Sequence, residues 1–322
     1  MLRLISILHV FLFLCQLAYS QALDTGQVIS QYRSFFPKIS DRDAKAFFYS
    51  QSSSEPYTLG VDSEKSNAAP EGTVTKYHWV NKTIFKGTER DYWIYVPKQY
   101  DAKKPACLMI FQDGEWYLFD AAMKANVVLD NLIYKKEVPV IIGLFINPGD
   151  KGPGNPDVGG TDNRSVEYDS ISTLYPRFLI EEMLPELSKK YNITKDAQGK
   201  ALVGISSGAI CAFNAAWQRP DVFGKVISHC GSFANIRGGD KFPDMIRRTP
   251  AKRIRVFLQS GEKDLNIIWG SWPARNMEMA AALEYAGYDY NFVFGKGGHS
   301  LVHGAAIFPE TLRWIWRDYP KP

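Results

Sequence analysis

Lys200-Ala-Leu-Val-Gly-Ile-Ser-Ser-Gly-Ala-Ile-Cys211 is the stretch on which the reading of this chain turns. Ala201, Leu202 and Val203 form a short apolar run of the kind that ends a buried strand. Gly204-Ile205-Ser206-Ser207-Gly208 follows. Beyond it Ile210, Phe213 and Trp217 recur at helical spacing and share one face. Strand, G-x-S-x-G and helix together lift a serine hydroxyl above a sheet edge on a strained turn. Gly204 and Gly208 carry no Cβ where such a strand and helix cross closely. The helix N-terminus behind Ser206 offers backbone N–H groups and a dipole to a negative oxygen. A bare G-x-S-x-G also occurs as a plain turn, so the rest of the chain must supply the partners.

A serine that attacks an ester needs a base, and the base needs a carboxylate to orient it. Beyond residue 20 the histidines are His78, His229, His299 and His303. His78 precedes the parallel part of the pattern, and His229 reads as a core histidine in the next strand. His299 ends Phe294-Gly-Lys-Gly-Gly-His299, a glycine-rich loop that lets an imidazole swing over the sheet edge; His303 is the fallback. The acid is expected after the strand at 254–259, where Ser260-Gly-Glu-Lys-Asp264 holds both Glu262 and Asp264. Asp264 is preferred because the chain needs residues to turn back past Gly261. An oxyanion needs two N–H donors. The Ser207 amide is one, and Glu115, aimed inward by the turn at Gly114, is the other. His299 and His303 are four apart but lack the glutamate of H-E-x-x-H, so no metal is expected.

The 322 residues are 45% hydrophobic and 22% charged, ordinary values for a globular protein. A net charge of +4 is small for this length and argues against a nucleic-acid partner. The basic cluster Arg247, Arg248, Lys252, Arg253 and Arg255 reads as a solvated helix end and loop. Arg3, the apolar run 4–17 and Ala18-Tyr19-Ser20 read as a cleavable export signal over 1–20, too short for a membrane span. The expectation is an exported protein, periplasmic or secreted, with no membrane attachment after cleavage. Residues 21–72 form an arm, partly loop, with a short helix near 44–49. From 73 to 322 strands alternate with helices, which implies a mostly parallel central sheet with helices on both faces. A helix is expected over 170–190, kinked at Pro185. Cys107, Cys211 and Cys230 read as core residues, with a Cys211–Cys230 bridge left open.

Phe111-Gln-Asp-Gly114, Asn163-Arg-Ser-Val-Glu-Tyr-Asp169, Gly204-Ile-Ser-Ser-Gly208, Gly261-Glu-Lys-Asp264 and Gly297-Gly-His299 together resemble the esterase D / enterochelin esterase-like family, over roughly residues 73–318. The resemblance implies an α/β-hydrolase fold and a serine carboxylesterase working through an acyl-enzyme, without cofactor. It maps the triad onto Ser206, Asp264 and His299 and the oxyanion amides onto Glu115 and Ser207. It also brings Asp113 to the border of the substrate site. The implied partner is a small-molecule or carbohydrate ester. A siderophore esterase or an acyltransferase of the same family is the alternative, and a silent carbohydrate-binding scaffold is the reading from another class. Arg164, Glu167, Tyr168 and Asp169 could line the cleft or form a salt-bridged helix cap. Trp116, Tyr117, Trp269 and Trp272 could stack on a substrate ring or pack in loops.

Overall fold

A computed structural model describes residues 25–35, 38–119, 121–151 and 163–321. The expected leader at 1–20 and most of the 149–163 loop lie outside them. The described residues open with two helices, α1 (Thr25–Phe35) and α2 (Asp41–Gln51). Ser40 caps α2, its Oγ accepting from Asp43 N at 3.1 Å. The strands β1 (Thr73–Val80) and β2 (Glu89–Val96) come next, then β3 (Cys107–Gln112), α3 (Gly114–Phe119), α4 (Ala125–Tyr134) and β4 (Ile141–Ile146). Short helices α5 (Arg164–Tyr168), α6 (Leu174–Phe178) and α7 (Leu184–Ser188) lead to β5 (Lys200–Ile205) and α8 (Ser207–Gln218). The chain continues through β6 (Lys225–His229), α9 (Phe242–Arg248), β7 (Arg255–Gly261) and a small hairpin of β8 (Asn266–Ile267) and β9 (Gly270–Ser271). It finishes with α10 (Trp272–Tyr285), β10 (Asp289–Gly295), α11 (Val302–Ala306) and α12 (Phe308–Ile315).

Eight strands make one sheet in the order β1-β2-β4-β3-β5-β6-β7-β10. β2 runs antiparallel to both its neighbours, and the pairs from β4 to β10 are all parallel. This is the expected α/β-hydrolase architecture. β3, β4, β5, β6 and β7 are buried along their whole length, as strands covered on both faces must be. The period of two then sorts their side chains. Leu108 and Ile110 of β3 join Phe178, Phe213, Trp217 and Met279 on one face. Cys107, Met109 and Phe111 join Leu132, Phe308 and Leu312 on the other. A third cluster holds the N-terminal helices: Val28, Tyr32, Ala44 and Phe47 pack on Leu265, Ile267 and Trp272.

The helix expected over 170–190 runs without interruption from Leu174 to Ser188, but not as one regular α-helix. Between α6 and α7 the five residues Leu179–Met183 form a π turn, and Pro185 sits in the first turn of α7. Pro185 has no N–H and its ring would press on the carbonyl four residues back, so the helix widens before it. Arg255 also departs from expectation. It is buried and paired with Asp289 and Asp318, so the basic cluster is solvated only in part. All three described cysteines are free and buried, and no Cys211–Cys230 bridge forms.

Candidate active site

The C-terminal edge of the parallel sheet gathers Ser206, Asp264 and His299. β3, β5 and β6 are neighbours, and each is followed directly by a non-glycine residue of positive φ: Asp113 at 54°, Ser206 at 57° and Cys230 at 47°. Such residues store roughly 1–3 kcal/mol each and persist only where the surroundings over-determine them. Ser206 has ψ −122° and stands directly before α8. Its sharp turn needs the two glycines. A Cβ on Gly204 would overlap the Gly208 carbonyl, and one on Gly208 would stand 2.7 Å from Asp113 Oδ2.

Three loops bring three side chains together. His299 Nε2 lies 2.9 Å from Ser206 Oγ, and His299 Nδ1 lies 2.6 Å from Asp264 Oδ1. Asp264 Oδ2 accepts from Ser260 Oγ at 3.0 Å, and Oδ1 also accepts from Leu265 N at 2.7 Å. With the carboxylate accepting throughout, Nδ1 carries the imidazole proton and Nε2 is left to accept from the serine. Asp264 and His299 are buried, while Ser206 is partly exposed. Glu262 is exposed and takes no part in this line of bonds. His303 faces Gln259 and stacks on Tyr57, and His229 bonds Tyr117 in the core. Burial and the neighbouring His303 push the His229 imidazole down to about 3.

Ser232 is a participant the sequence did not single out. Its Oγ is 3.1 Å from Ser206 Oγ and accepts from Trp272 Nε1 at 3.2 Å. A hydroxyl that accepts from an indole is free to donate to Ser206, leaving the Ser206 proton for His299. Only its place after β6, at the same sheet edge, could have pointed to it. Cys230 Sγ lies beside Asp264 and His299, and donates to the carbonyls of Gly298 and Ser300 from beneath the histidine loop.

The two expected oxyanion amides differ. Ser207 N has no protein acceptor among the described residues. Glu115 N donates to Asn147 Oδ1 at 3.1 Å, and Asn147 Nδ2 returns a bond to Glu115 Oε2 at 3.2 Å. Asn147 follows β4, two positions in the sheet from the elbow, and nothing in its sequence context marked it.

Two of the side chains expected to border the substrate are buried. Tyr168 is fully buried, its hydroxyl held near Asp113 N and Ile146 O. Asp113 is buried as well, and both its oxygens accept from Arg164 at 2.8 Å. The reason is packing: α5 lies on α8, so its side chains fill the space under the elbow. Arg164 is partly exposed over Trp116, with Cζ 5.3 Å from the ring centroid. Trp116 and Trp269 keep part of their surface in solvent, whereas Trp272 and Tyr117 are core. Glu167 pairs with Arg90 of β2. Asp169 is buried beneath the elbow with no well-aligned hydrogen bond to either oxygen. Burial drives its carboxyl up to about 6, against the pull of Arg164 and the hydroxyls of Ser207 and Ser165.

A cleft of about 470 Å³ lies at the opposite end of the sheet, beside Lys225, Arg255 and Asp289, where β6, β7 and β10 begin. It is remote from Ser206, and its Arg255 is already saturated by carboxylates.

Residues 85–315 match the family described as "Putative esterase". The chain belongs to this esterase family. The esterase is 22% identical over 258 residues to the iron(III) enterobactin esterase of Dickeya dadantii (strain 3937), a match covering 75% of this chain and 54% of that protein. It is 25% identical to the uncharacterized protein YjcH of Bacillus subtilis (strain 168), over 76% of this chain and 98% of that one. Among solved structures, the enterobactin esterase of Shigella flexneri superposes with a TM-score of 0.63 at 20% identity, covering 81% of this chain and 63% of the other. A ferulic acid esterase of Anaeromyces mucronatus gives 0.64 at 16% identity, over 80% and 96%. The family makes the esterase an ester hydrolase; the structural likenesses carry the fold.

Proposed function

We propose that this esterase is an exported serine carboxylesterase acting, through an acyl-enzyme, on an acyl or aryl ester of a carbohydrate or related small molecule. The observation that carries the serine chemistry is the unbroken line of bonds from Ser206 Oγ through His299 to Asp264. Ser206 Oγ attacks the ester carbonyl carbon while His299 Nε2 takes its proton. The carbonyl π pair moves onto oxygen, and the Ser207 amide holds that charge. A second donor, the Glu115 amide, would have to exchange Asn147 Oδ1 for the oxyanion. Collapse expels the alcohol, which takes the proton from His299. Water then repeats the sequence and releases the acid and Ser206.

The aromatic-acid part of the reading draws on the fold likeness to a ferulic acid esterase and on the partly exposed rings of Trp116 and Trp269. Likeness to enterobactin esterases favours a siderophore ester as the second reading. Export rests on the leader pattern of residues 1–20. Ser206→Ala is expected to abolish hydrolysis of p-nitrophenyl acetate in a folded protein, and unchanged turnover would end the serine reading. Feruloylated and acetylated oligosaccharides, siderophore esters and short acyl esters, assayed side by side, discriminate the substrates. N-terminal sequencing of protein recovered outside the cytoplasm is expected to begin at Gln21.

A further inference from the structure

We propose that the arm before the family-matching region is part of the catalytic apparatus, with Ser50 and Glu55 as positioning residues for His299. The inference rests on His299 being the base proposed above.

Ser50 lies in the last turn of α2 and is buried. Its hydroxyl donates to the carbonyl of Lys263 at 2.7 Å and accepts from His299 N at 2.9 Å. One oxygen therefore ties the loop that carries Asp264 to the loop that carries His299. The Ser50 carbonyl accepts from the same His299 amide at 3.2 Å. Glu55 Oε1 accepts from Gly298 N at 3.2 Å and from Ser300 Oγ at 2.6 Å, one residue to each side of His299. Tyr57 OH accepts from Lys296 N at 2.7 Å, and its ring stacks on His303 at 4.0 Å. Four polar groups around the histidine are thus held by residues about 240 positions earlier in the chain.

The glycines of that loop fit the same account. None of Gly295, Gly297 and Gly298 has a positive φ, so backbone conformation does not require them. Space does. A Cβ on Gly298 would overlap the Ser50 carbonyl, one on Gly297 would stand 2.5 Å from Glu55 Oε2, and one on Gly295 would overlap the Tyr57 hydroxyl. The third hydrophobic cluster presses the arm into this position, with Phe47 and Ala44 against Leu265, Ile267 and Trp272. Removing one anchor lets the imidazole drift from Ser206, and misplacements near 1 Å cost on the order of 10²-fold in rate.

The test compares full-length wild type with Ser50→Ala, Ser50→Thr and Ser206→Ala, using kcat and KM on p-nitrophenyl acetate, the rate of fluorophosphonate labelling, and thermal melting. Ser50→Ala is expected to lose roughly ten- to a hundredfold in kcat and in labelling rate with KM within about twofold. Ser50→Thr, which keeps the hydroxyl, is expected to recover most of that loss. Ser52→Ala, an exposed hydroxyl on the same helix end, serves as the unaffected control. Wild-type kcat and labelling in Ser50→Ala overturn the proposal. So does a loss that merely follows the unfolded fraction, or a Thr variant as impaired as the Ala variant. Activity surviving in Ser206→Ala would instead remove the serine reading, and the two failures are told apart in one experiment.

Discussion

Asp264 Oδ1 stands 2.6 Å from His299 Nδ1, and that bond decides which ring nitrogen meets the serine. Asp264→Asn preserves the shape but offers an amide where a pure acceptor stood, which favours the wrong tautomer. The serine-protease precedent for this exchange is a loss on the order of 10⁴ in kcat. Glu262→Gln, at an exposed position, is expected to change kcat by less than about twofold. Both variants are to be measured on the same small ester. A crippled Glu262→Gln beside a healthy Asp264→Asn reverses the assignment.

Asp169 and His229 make opposite contributions to stability against pH. Burial raises the Asp169 carboxyl from its ordinary 3.8 to about 6, so its contribution is fully present below 3.8 and is lost as pH rises through about 6. Burial lowers the His229 imidazole from 6.5 to about 3, so its contribution is present above 6.5 and is lost as pH falls toward 3. Between about pH 4 and 6 the two slopes oppose each other. Asp169→Asn removes one of them. Its stability relative to wild type is therefore expected to climb by about 1.4 kcal/mol per pH unit in that window and then level off. Urea melts from pH 4 to about 7 check this, and a pH-independent difference contradicts it.

The legible parts of this molecule are those encoded by residues close in sequence. Gly204 to Gly208 announces a strand-to-helix turn because the crossing leaves no room for Cβ atoms, and those five residues specify it. Asp264 and His299 could be expected beside Ser206, where the structure places them, because parallel strands all end at one edge, so position along the chain predicts position in space. Where contacts are long-range, the signal vanishes. Ser50 sits in a polar helix end with no pattern linking it to His299. Asn147 looks like any residue in a turn, although it holds the Glu115 amide. Tyr168 and Asp113 lay close to the expected cleft in sequence, but the packing of α5 on α8 turned both inward. Glu167 illustrates the same limit. Its partner Arg90 lies on β2, and a sequence window around α5 contains no hint of it.

That buried pair makes its own prediction. Arg90 donates to Glu167 at 2.7 and 2.9 Å, both side chains are fully buried, and the guanidinium lies 4.3 Å from the Phe178 ring centroid. Glu167→Ala leaves a charge in the core without its counter-ion, a change that typically costs about 3–5 kcal/mol. Replacing both partners together, Arg90→Met with Glu167→Leu, removes the charge and is expected to restore most of the stability. Chemical denaturation of the single and double variants measures the difference. A double variant no better than the single one means that the lost packing and the bonds to Asn81, not the unpaired charge, dominate.

Gly261 is where the acid loop and the histidine loop touch backbone to backbone. It pairs with Gly295 at the end of the β7–β10 ladder. Beyond it, Glu262 N donates to Gly295 O at 2.9 Å and Lys263 N donates to Gly297 O at 3.1 Å. A Cβ on Gly261 would overlap the Gly297 carbonyl and approach the Gly297 nitrogen at 2.9 Å. No side chain can rotate away to relieve this, because both groups are main chain. The strain has to be met by spreading the two loops, which parts Asp264 from His299. Gly261→Ala is therefore expected to lower kcat by about 10²-fold with little change in KM. Gly60→Ala is the matched control: its φ of −85° suits alanine, and nothing lies within 4 Å of the added methyl. Steady-state kinetics on a small ester, with melting curves to show that the fold persists, decide the matter. A Gly261→Ala variant with wild-type kcat would mean that the loops yield without disturbing the Asp264–His299 bond.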